Sequence, residues 1–379
     1  MRVLMTADTV GGVWTYALEL AAGLAQRGVE TVLATMGAAL ADAQREAAER
    51  VPGLRIAESA YRLEWMEDPW DDVARAGEWL LRLRDRVQPD LVHLNGYAHG
   101  ALDWGLPVLV AGHSCVLSWW RAVRGEDAPP EWDRYRRAVR AGLEAADLVA
   151  APTMAMLAAL AEHYGPLGET VVIPNGASAE AYGPGCKEPF VFTAGRVWDE
   201  AKNIAALEEV APRLSWPVYV AGQQHHPEGG YRRPVGLRGL GPLSRQELAA
   251  WLARAAVYAA PARYEPFGLS ALEAGLSGCA LVLGDIPSLR EVWGNAALFV
   301  PPEDTALLEG TLAGLIDDTT SVFCSGSEVY YGRRFHCGSS GGHGRVYLEN
   351  AIAKSCNIFF YQVTGGYGNF QGLGIDLLG

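Results

Sequence analysis

From Arg2 onward the chain alternates short apolar runs with amphipathic stretches, and this rhythm restricts the fold more than any other feature. "RVLMT" reads as a strand. "VWTYALELAAGLAQRG" then repeats apolar positions at i, i+3, i+4 and i+7 and stops at Gly28, the pattern of an amphipathic helix ending on glycine. Further strands are expected at "VETVLAT", "DLVHLNG", "LPVLVAGH", "DLVAAPT" and "ETVVIPNG". Strand, helix and strand in succession predict a parallel sheet covered by helices on both faces. A Gly- and Pro-rich break falls at "PNGASAEAYGPGCKEP", after which "FVFTAG", "NIAALEEVAPRL", "PVYVAG", "VGLRGL", "SRQELAAWLARA" and "VYAAPA" restart the pattern. The expected class is therefore α/β, with one Rossmann-like domain over residues 1–180 and a second over 181–318. Two such units are expected to face a ligand cleft at the carboxyl ends of their strands.

The totals exclude several classes. A chain of 379 residues suits two domains of ordinary size. A net charge of −13 argues against a general nucleic-acid footprint. No apolar run reaches the roughly 18 residues of a membrane span, and "MRVLMTADTV" is too short for a signal peptide. A cytoplasmic location is the expectation. The six cysteines show no metal-ligand spacing and no compact disulfide framework. "EDPWDD" reads as a solvated helix start.

The chemistry concentrates in "ARYEPFGLSALEAG", where Glu265 precedes Pro-Phe-Gly and Glu273 follows eight positions later. Pro266 ends the preceding element, because the residue before proline avoids the α region. Gly268 allows a tight turn into the short helix "LSALEAGL". The amides near Gly268, Leu269 and Ser270 lack intrahelical partners and carry partial positive charge, which suits a diphosphate. Glu265 lies just outside that end and Glu273 about one turn inside it. Each carboxylate can accept paired hydroxyl hydrogen bonds, one from a sugar and one from ribose. "TAGRVWDEAKN" adds Arg196 and Lys202 on a loop that leaves a strand, where two cations can neutralise departing phosphate. Gly11 and Gly12 separate the first strand from the first helix, so backbone there can approach a ligand closely. The spacing is not that of a dinucleotide fingerprint.

Together "TVGGVWTYALELA", "VVIPNGAS", "GRVWDEAKN", "YEPFGLSALEAG" and "FVPPED" give residues 1 to about 318 a clear resemblance to family-4 glycosyltransferases of the GT-B fold. Arg196 and Lys202 stand six apart, where the commoner family pattern has five. The resemblance implies a nucleoside-diphosphate sugar as donor and a retaining, metal-independent transfer that needs no cofactor. By position it implies that Glu273 binds ribose, Glu265 the donor sugar, and Arg196 and Lys202 the diphosphate. It also implies Gly11, Gly12 and Asn175 as donor contacts, and His113 near the reacting sugar. Glu265, Arg196, Lys202 and His113 are the catalytic candidates. The acceptor is not specified, and a peripheral membrane contact would follow if it is a lipid. Alternative readings on the same fold are a nucleotide-sugar epimerase or a sugar-nucleotide binder.

After Asp318 the composition changes. All twelve tryptophans precede this point, whereas five of nine phenylalanines and three of six cysteines follow it. The segment 319–379, with "GHGRV" and "AKSCNIFFYQ", resembles the transpeptidase domain of class B penicillin-binding proteins, with Ser355 and Asn357 at its Ser-x-Asn motif. That chemistry needs a serine nucleophile three residues before a lysine. Pro184, Asp199 and Ala351 occupy those positions relative to Lys187, Lys202 and Lys354. The tail is therefore expected to be an inactive foreign fragment with its own local structure. His336, Cys337 and His343 offer only a weak metal pattern.

Overall fold

The computed structural model describes residues 1–226, 229–315, 321–330 and 333–347. The chain divides into two compact units, Met1–Gly176 and Ala177–Gly379.

The first unit is built on strands β1 (Arg2–Asp8), β2 (Glu30–Met36), β3 (Leu54–Glu58), β4 (Leu91–Leu94), β5 (Val108–Ala111), β6 (Leu148–Ala151) and β7 (Thr170–Val172). They form one parallel sheet in the order β3-β2-β1-β4-β5-β6-β7. Val3, Leu4 and Met5 are all buried because helices cover both faces, which explains why these strands read as continuous apolar runs. The helix Gly12–Ala25 turns Trp14, Ala17 and Ala21 onto the sheet. Edge strand β3 is absent from the sequence reading; Leu54, Ile56 and Ala57 are half-buried and Arg55 and Glu58 exposed, so its apolar signal is weak.

The second unit repeats the plan with β8 (Glu188–Ala194), β9 (Val218–Ala221), β10 (Arg238–Gly241), β11 (Ala255–Ala260), β12 (Ala280–Gly284) and β13 (Leu298–Val300). The order is β10-β9-β8-β11-β12-β13, again parallel. Phe192 and Tyr258 are fully buried at its centre, each contributing about 1.5–3 kcal/mol of apolar burial. Lys187 is buried too. Its Nζ donates to the carbonyls of Leu252 (3.1 Å) and Ser277 (2.7 Å), which makes it a brace between element ends.

Strand order fixes where a ligand can sit. In each sheet the order reverses direction once, between β1 and β4 in the first unit and between β8 and β11 in the second. Loops leaving such neighbouring strands part to opposite faces and open a crevice. Those loops carry the residues considered below.

Beyond the parallel sheets the pairing changes. β14 (Ser321–Cys324) runs antiparallel to β17 (Gly344–Tyr347), and β15 (Ser327–Tyr330) antiparallel to β16 (Arg333–His336). Neither ladder joins the six-stranded sheet. The compositional junction near 318/319, together with Ser355 and Asn357, lies outside the described residues.

Candidate functional site

Strand β8 ends at Ala194, and the loop that follows is drawn close by glycine. Gly195 N donates to Ala221 O (2.9 Å), and a Cβ at Gly222 (φ +141°) would stand 1.7 Å from the Gly195 carbonyl oxygen. Only a residue without Cβ permits that approach. Arg196 comes next. Its Nη2 pairs with Asp199 Oδ2 at 2.6 Å, while its buried Nε has no hydrogen-bond partner. Asp199 is buried and its Oδ1 accepts from Ala201 N at 3.0 Å, capping the short turn Glu200–Lys202. Asn203 (φ +53°) closes the loop by donating to the carbonyls of Pro261 (2.9 Å) and Pro302 (2.8 Å).

The neighbouring loop leaves β11. Glu265 pairs with Lys202 through Oε2, and its Oε1 accepts from Gly268 N at 3.1 Å. Gly268 has φ +89°, the left-handed turn that starts the helix Leu269–Leu276. Ser270 Oγ lies 2.8 Å from the hydroxyl of Tyr258. Glu273 is buried, only 7% exposed, and accepts from Tyr182 Oη at 2.7 Å. Burial, then the nearby Glu273 carboxylate, pushes the Tyr182 hydroxyl up from its ordinary pKa, so it stays a donor.

The expected cluster is thus assembled by topology: Lys202 and Arg196 on one side of the β8/β11 crevice, Glu265, Gly268, Leu269, Ser270 and Glu273 on the other. Both cations are engaged with carboxylates, and Gly268 N is taken by Glu265, where the sequence reading pictured all of them available to phosphate. Tyr182 and Asp199 were missed; a lone Tyr or Asp has no spacing signal, and only the fold shows what each holds. A hollow of about 340 Å³ lies elsewhere, beside Arg55, Glu58, Trp79 and Arg86, and none of the expected residues lines it.

The first unit gathers a second group at its own reversal point. Gly11 N donates to Asp8 Oδ1 at 3.0 Å where β1 meets the helix Gly12–Ala25. His113, after β5, places Nε2 2.8 Å from Asn95 Oδ1, and His93 Nε2 lies 3.2 Å from the same oxygen. Asn95 Nδ2 donates to Thr6 O at 2.7 Å. That bond fixes the amide orientation, so Oδ1 can only accept and both imidazoles carry hydrogen on Nε2. His113 Nδ1 is then an acceptor. The ring of Tyr16 packs edge-on against His113 at 4.4 Å. Asn175, near the end of this unit, is half-buried.

Burial, then proximity of His93, pushes His113 down to about 3, and burial pushes His93 down to about 4. Both rings stay neutral when folded and bind protons more readily when unfolded. Their contribution to stability is therefore complete above about pH 6.5 and is lost progressively as pH falls from 6.5 toward 3. Urea midpoints across this range should fall with acid, and His93→Gln should flatten the slope. An unchanged slope would contradict the neutral pair.

Residues 10–181 match the family model "Glycosyltransferase Family 4", and residues 188–318 match "Glycosyl transferases group 1". The chain is 26% identical over 400 aligned positions to a D-inositol 3-phosphate glycosyltransferase of Corynebacterium efficiens, covering 92% of each. It is 30% identical over 181 positions to a glycogen synthase of Mycobacterium tuberculosis, covering 43% of this chain and 44% of that one. A solved sucrose-phosphate synthase from Thermosynechococcus elongatus superposes with TM-score 0.68 at 20% identity, over 83% of this chain and 90% of the other. HepE of Anabaena, solved with UDP and glucose, gives TM-score 0.63 at 18% identity, over 84% and 90%. Structural likeness at these identities speaks for the fold, which is GT-B. The two family models together reach residue 318 and leave the transpeptidase resemblance of the tail unsupported.

Proposed function

We propose, on the premise that this chain is a glycosyltransferase of GT-B type, that its second unit holds a nucleoside-diphosphate sugar at the opening of the helix Leu269–Leu276. The carrying observation is the convergence of Arg196, Lys202, Glu265 and Gly268 on one crevice between β8 and β11. In this reading the diphosphate takes Lys202 away from Glu265 and meets the Arg196 guanidinium, with the amides of Leu269 and Ser270 beside it. Glu265, relieved of its cation, accepts from hydroxyls of the sugar. Glu273, held by Tyr182, accepts from the ribose.

Once Lys202 and Arg196 have turned to the bound diphosphate, departure of the nucleoside diphosphate is stabilised by charges in place before the bond breaks, which lowers the barrier. The acceptor oxygen attacks from the face the leaving group vacates, so the anomeric configuration is retained and no covalent nucleophile is needed. His113, neutral with Nδ1 accepting, is the first unit's candidate for a sugar hydroxyl. The charge neutralisation is assigned to Arg196 and Lys202, so a hexosyl transfer that persists in chelator is expected.

The acceptor search starts from D-inositol 3-phosphate, because a relative of that name aligns with 92% of this chain. Full-length protein is offered UDP-, GDP- and ADP-glucose with this acceptor, and products are followed by NMR. Release of one nucleoside diphosphate with formation of an α-glycoside supports the reading. A sugar altered with no acceptor consumed would favour an epimerase, and no release from any donor would remove the enzyme assignment. The tail 319–379 is proposed to be a transpeptidase-like fragment that does not acylate. The antiparallel ladders that begin at Ser321 set the tail apart from the parallel sheets before it, and covalent labelling by a fluorescent penicillin would refute its inactivity.

A further inference from the structure

Outside the transferase site, one cluster of ligand-bearing side chains has no part in the proposed chemistry. Cys324, Cys337 and His343 bring one ligand atom each to within 4.8 Å of one another, and Cys337 Sγ lies 3.3 Å from His343 Nδ1. Cys324 is 1% exposed and Cys337 7% exposed, with His343 half-buried. His336, which the sequence pattern grouped with Cys337 and His343, is exposed and outside the cluster. Cys324 takes its place.

The backbone is arranged to hold this group. β14 pairs with β17 so that Cys324 faces Gly344, next to His343, and His343 N donates to Cys324 O at 3.1 Å. Cys337 N donates to Gly326 O at 2.8 Å. The two turns interlock through glycines. A Cβ at Gly326 (φ +92°) would lie 2.5 Å from Ser340 O, and one at Gly342 (φ +75°) 2.3 Å from Cys324 O. Any side chain there would wedge the turns apart and separate the ligands.

We propose that Cys324, Cys337 and His343 bind a zinc ion that staples the segment 321–347. Thiolate and imidazole are ligands suited to zinc and poorly suited to magnesium or calcium. Tetrahedral zinc with bonds of about 2.3 Å to sulfur and 2.0–2.1 Å to nitrogen sets its ligands about 3.5–3.8 Å apart. The observed spacing needs only small adjustments to reach that. Charge balances as well: both thiols release a proton, and two thiolates with a neutral imidazole leave Zn²⁺ electrically neutral in a buried place.

A staple has something to add here. Cys324, Cys337 and Val346 are buried, and each ladder of the segment has only two strands, an arrangement that is marginal in water by itself. Metal binding would supply folding free energy directly. The site is independent of glycosyl transfer, and its test does not read activity.

Full-length protein produced with zinc in the medium and purified without a metal-affinity step is expected to carry about one zinc per chain by mass spectrometry. Cys324→Ala, Cys337→Ala and His343→Ala should each weaken retention by more than about 100-fold, beyond the range of outer-shell changes. Cys186→Ala, at an exposed cysteine outside the cluster, should retain the full amount. Because a ligand variant can also unfold the ladders, wild-type protein is reconstituted with cobalt(II), whose thiolate charge-transfer absorption reports sulfur ligation directly. No zinc in the wild type, unchanged zinc in Cys337→Ala, or no charge-transfer band with cobalt would each overturn the assignment.

Discussion

Lys202→Ala is expected to reduce transfer about 10²–10³-fold, the cost of removing one fixed group that stabilises developing charge, or about 2.7–4 kcal/mol. The loss should fall on kcat more than on KM, because the ammonium does most for the leaving group as its bond breaks. A purely structural role is testable alongside. Lys202 is paired with Glu265, both about one-fifth exposed, so removing the cation alone leaves a half-buried carboxylate without its partner. The double variant Lys202→Ala with Glu265→Gln removes both charges. If the pair served only to hold the loop, the double variant should regain stability and rate together. The transferase reading predicts that stability returns and rate does not. Arg196→Ala should behave like Lys202→Ala, and Lys202→Arg should recover only part, since a planar fork does not replace a point charge.

Gly222→Ala carries the second large effect. With φ +141° and a built Cβ 1.7 Å from the Gly195 carbonyl oxygen, no rotamer change can relieve the contact, because the obstacle is backbone. The end of β9 must move away from β8, opening the Gly195–Ala221 and Gly222–Gly241 hydrogen bonds. A loss of about 3 kcal/mol or more is expected, in the range of strained backbone and broken ladder contacts. Arg196 follows Gly195 directly, so transfer should fall even at temperatures where the variant stays folded; a misplacement of about 1 Å can cost about 10²-fold. Gly23→Ala supplies the contrast. It lies within the helix Gly12–Ala25 with nothing within 4 Å of a built Cβ, and alanine there should stabilise by roughly 0.5–1 kcal/mol. Urea midpoints and rates of the two variants, measured together, separate general tolerance at glycines from the specific approach at Gly222.

The parallel strands were legible because burial on both faces writes them as unbroken apolar runs, "RVLMT" and "FVFTAG" among them. β3 was not, since an edge strand half-open to water loses that signal. The helix Leu269–Leu276 and its glycine start could be read from local chemistry alone: proline before, a left-handed residue at 268, apolar positions after. What the sequence could not reveal was pairing. Asp199 beside Arg196 is a contact within one loop, three residues apart, but a lone Asp at that spacing carries no distinctive signal; Tyr182 beside Glu273 and Asn95 beside His113 depend on strand order and loop closure over longer separations. The tail shows the same limit in another form. Cys324, Cys337 and His343 carry no adjacent-ligand motif, and antiparallel register together with two crowded glycines brings them into reach of one ion.

The central claim is that the opening of the helix Leu269–Leu276, flanked by Arg196, Lys202 and two carboxylates, is a nucleoside-diphosphate site. Titration calorimetry of UDP, GDP and ADP into the full chain, and into Glu273→Ala and Arg196→Ala, measures this most directly. One nucleotide should bind the wild type, and each variant should bind it at least about 10-fold more weakly, a difference of about 1.4 kcal/mol. Equal affinity across all three proteins, or no binding of any nucleotide by the folded wild type, would contradict it.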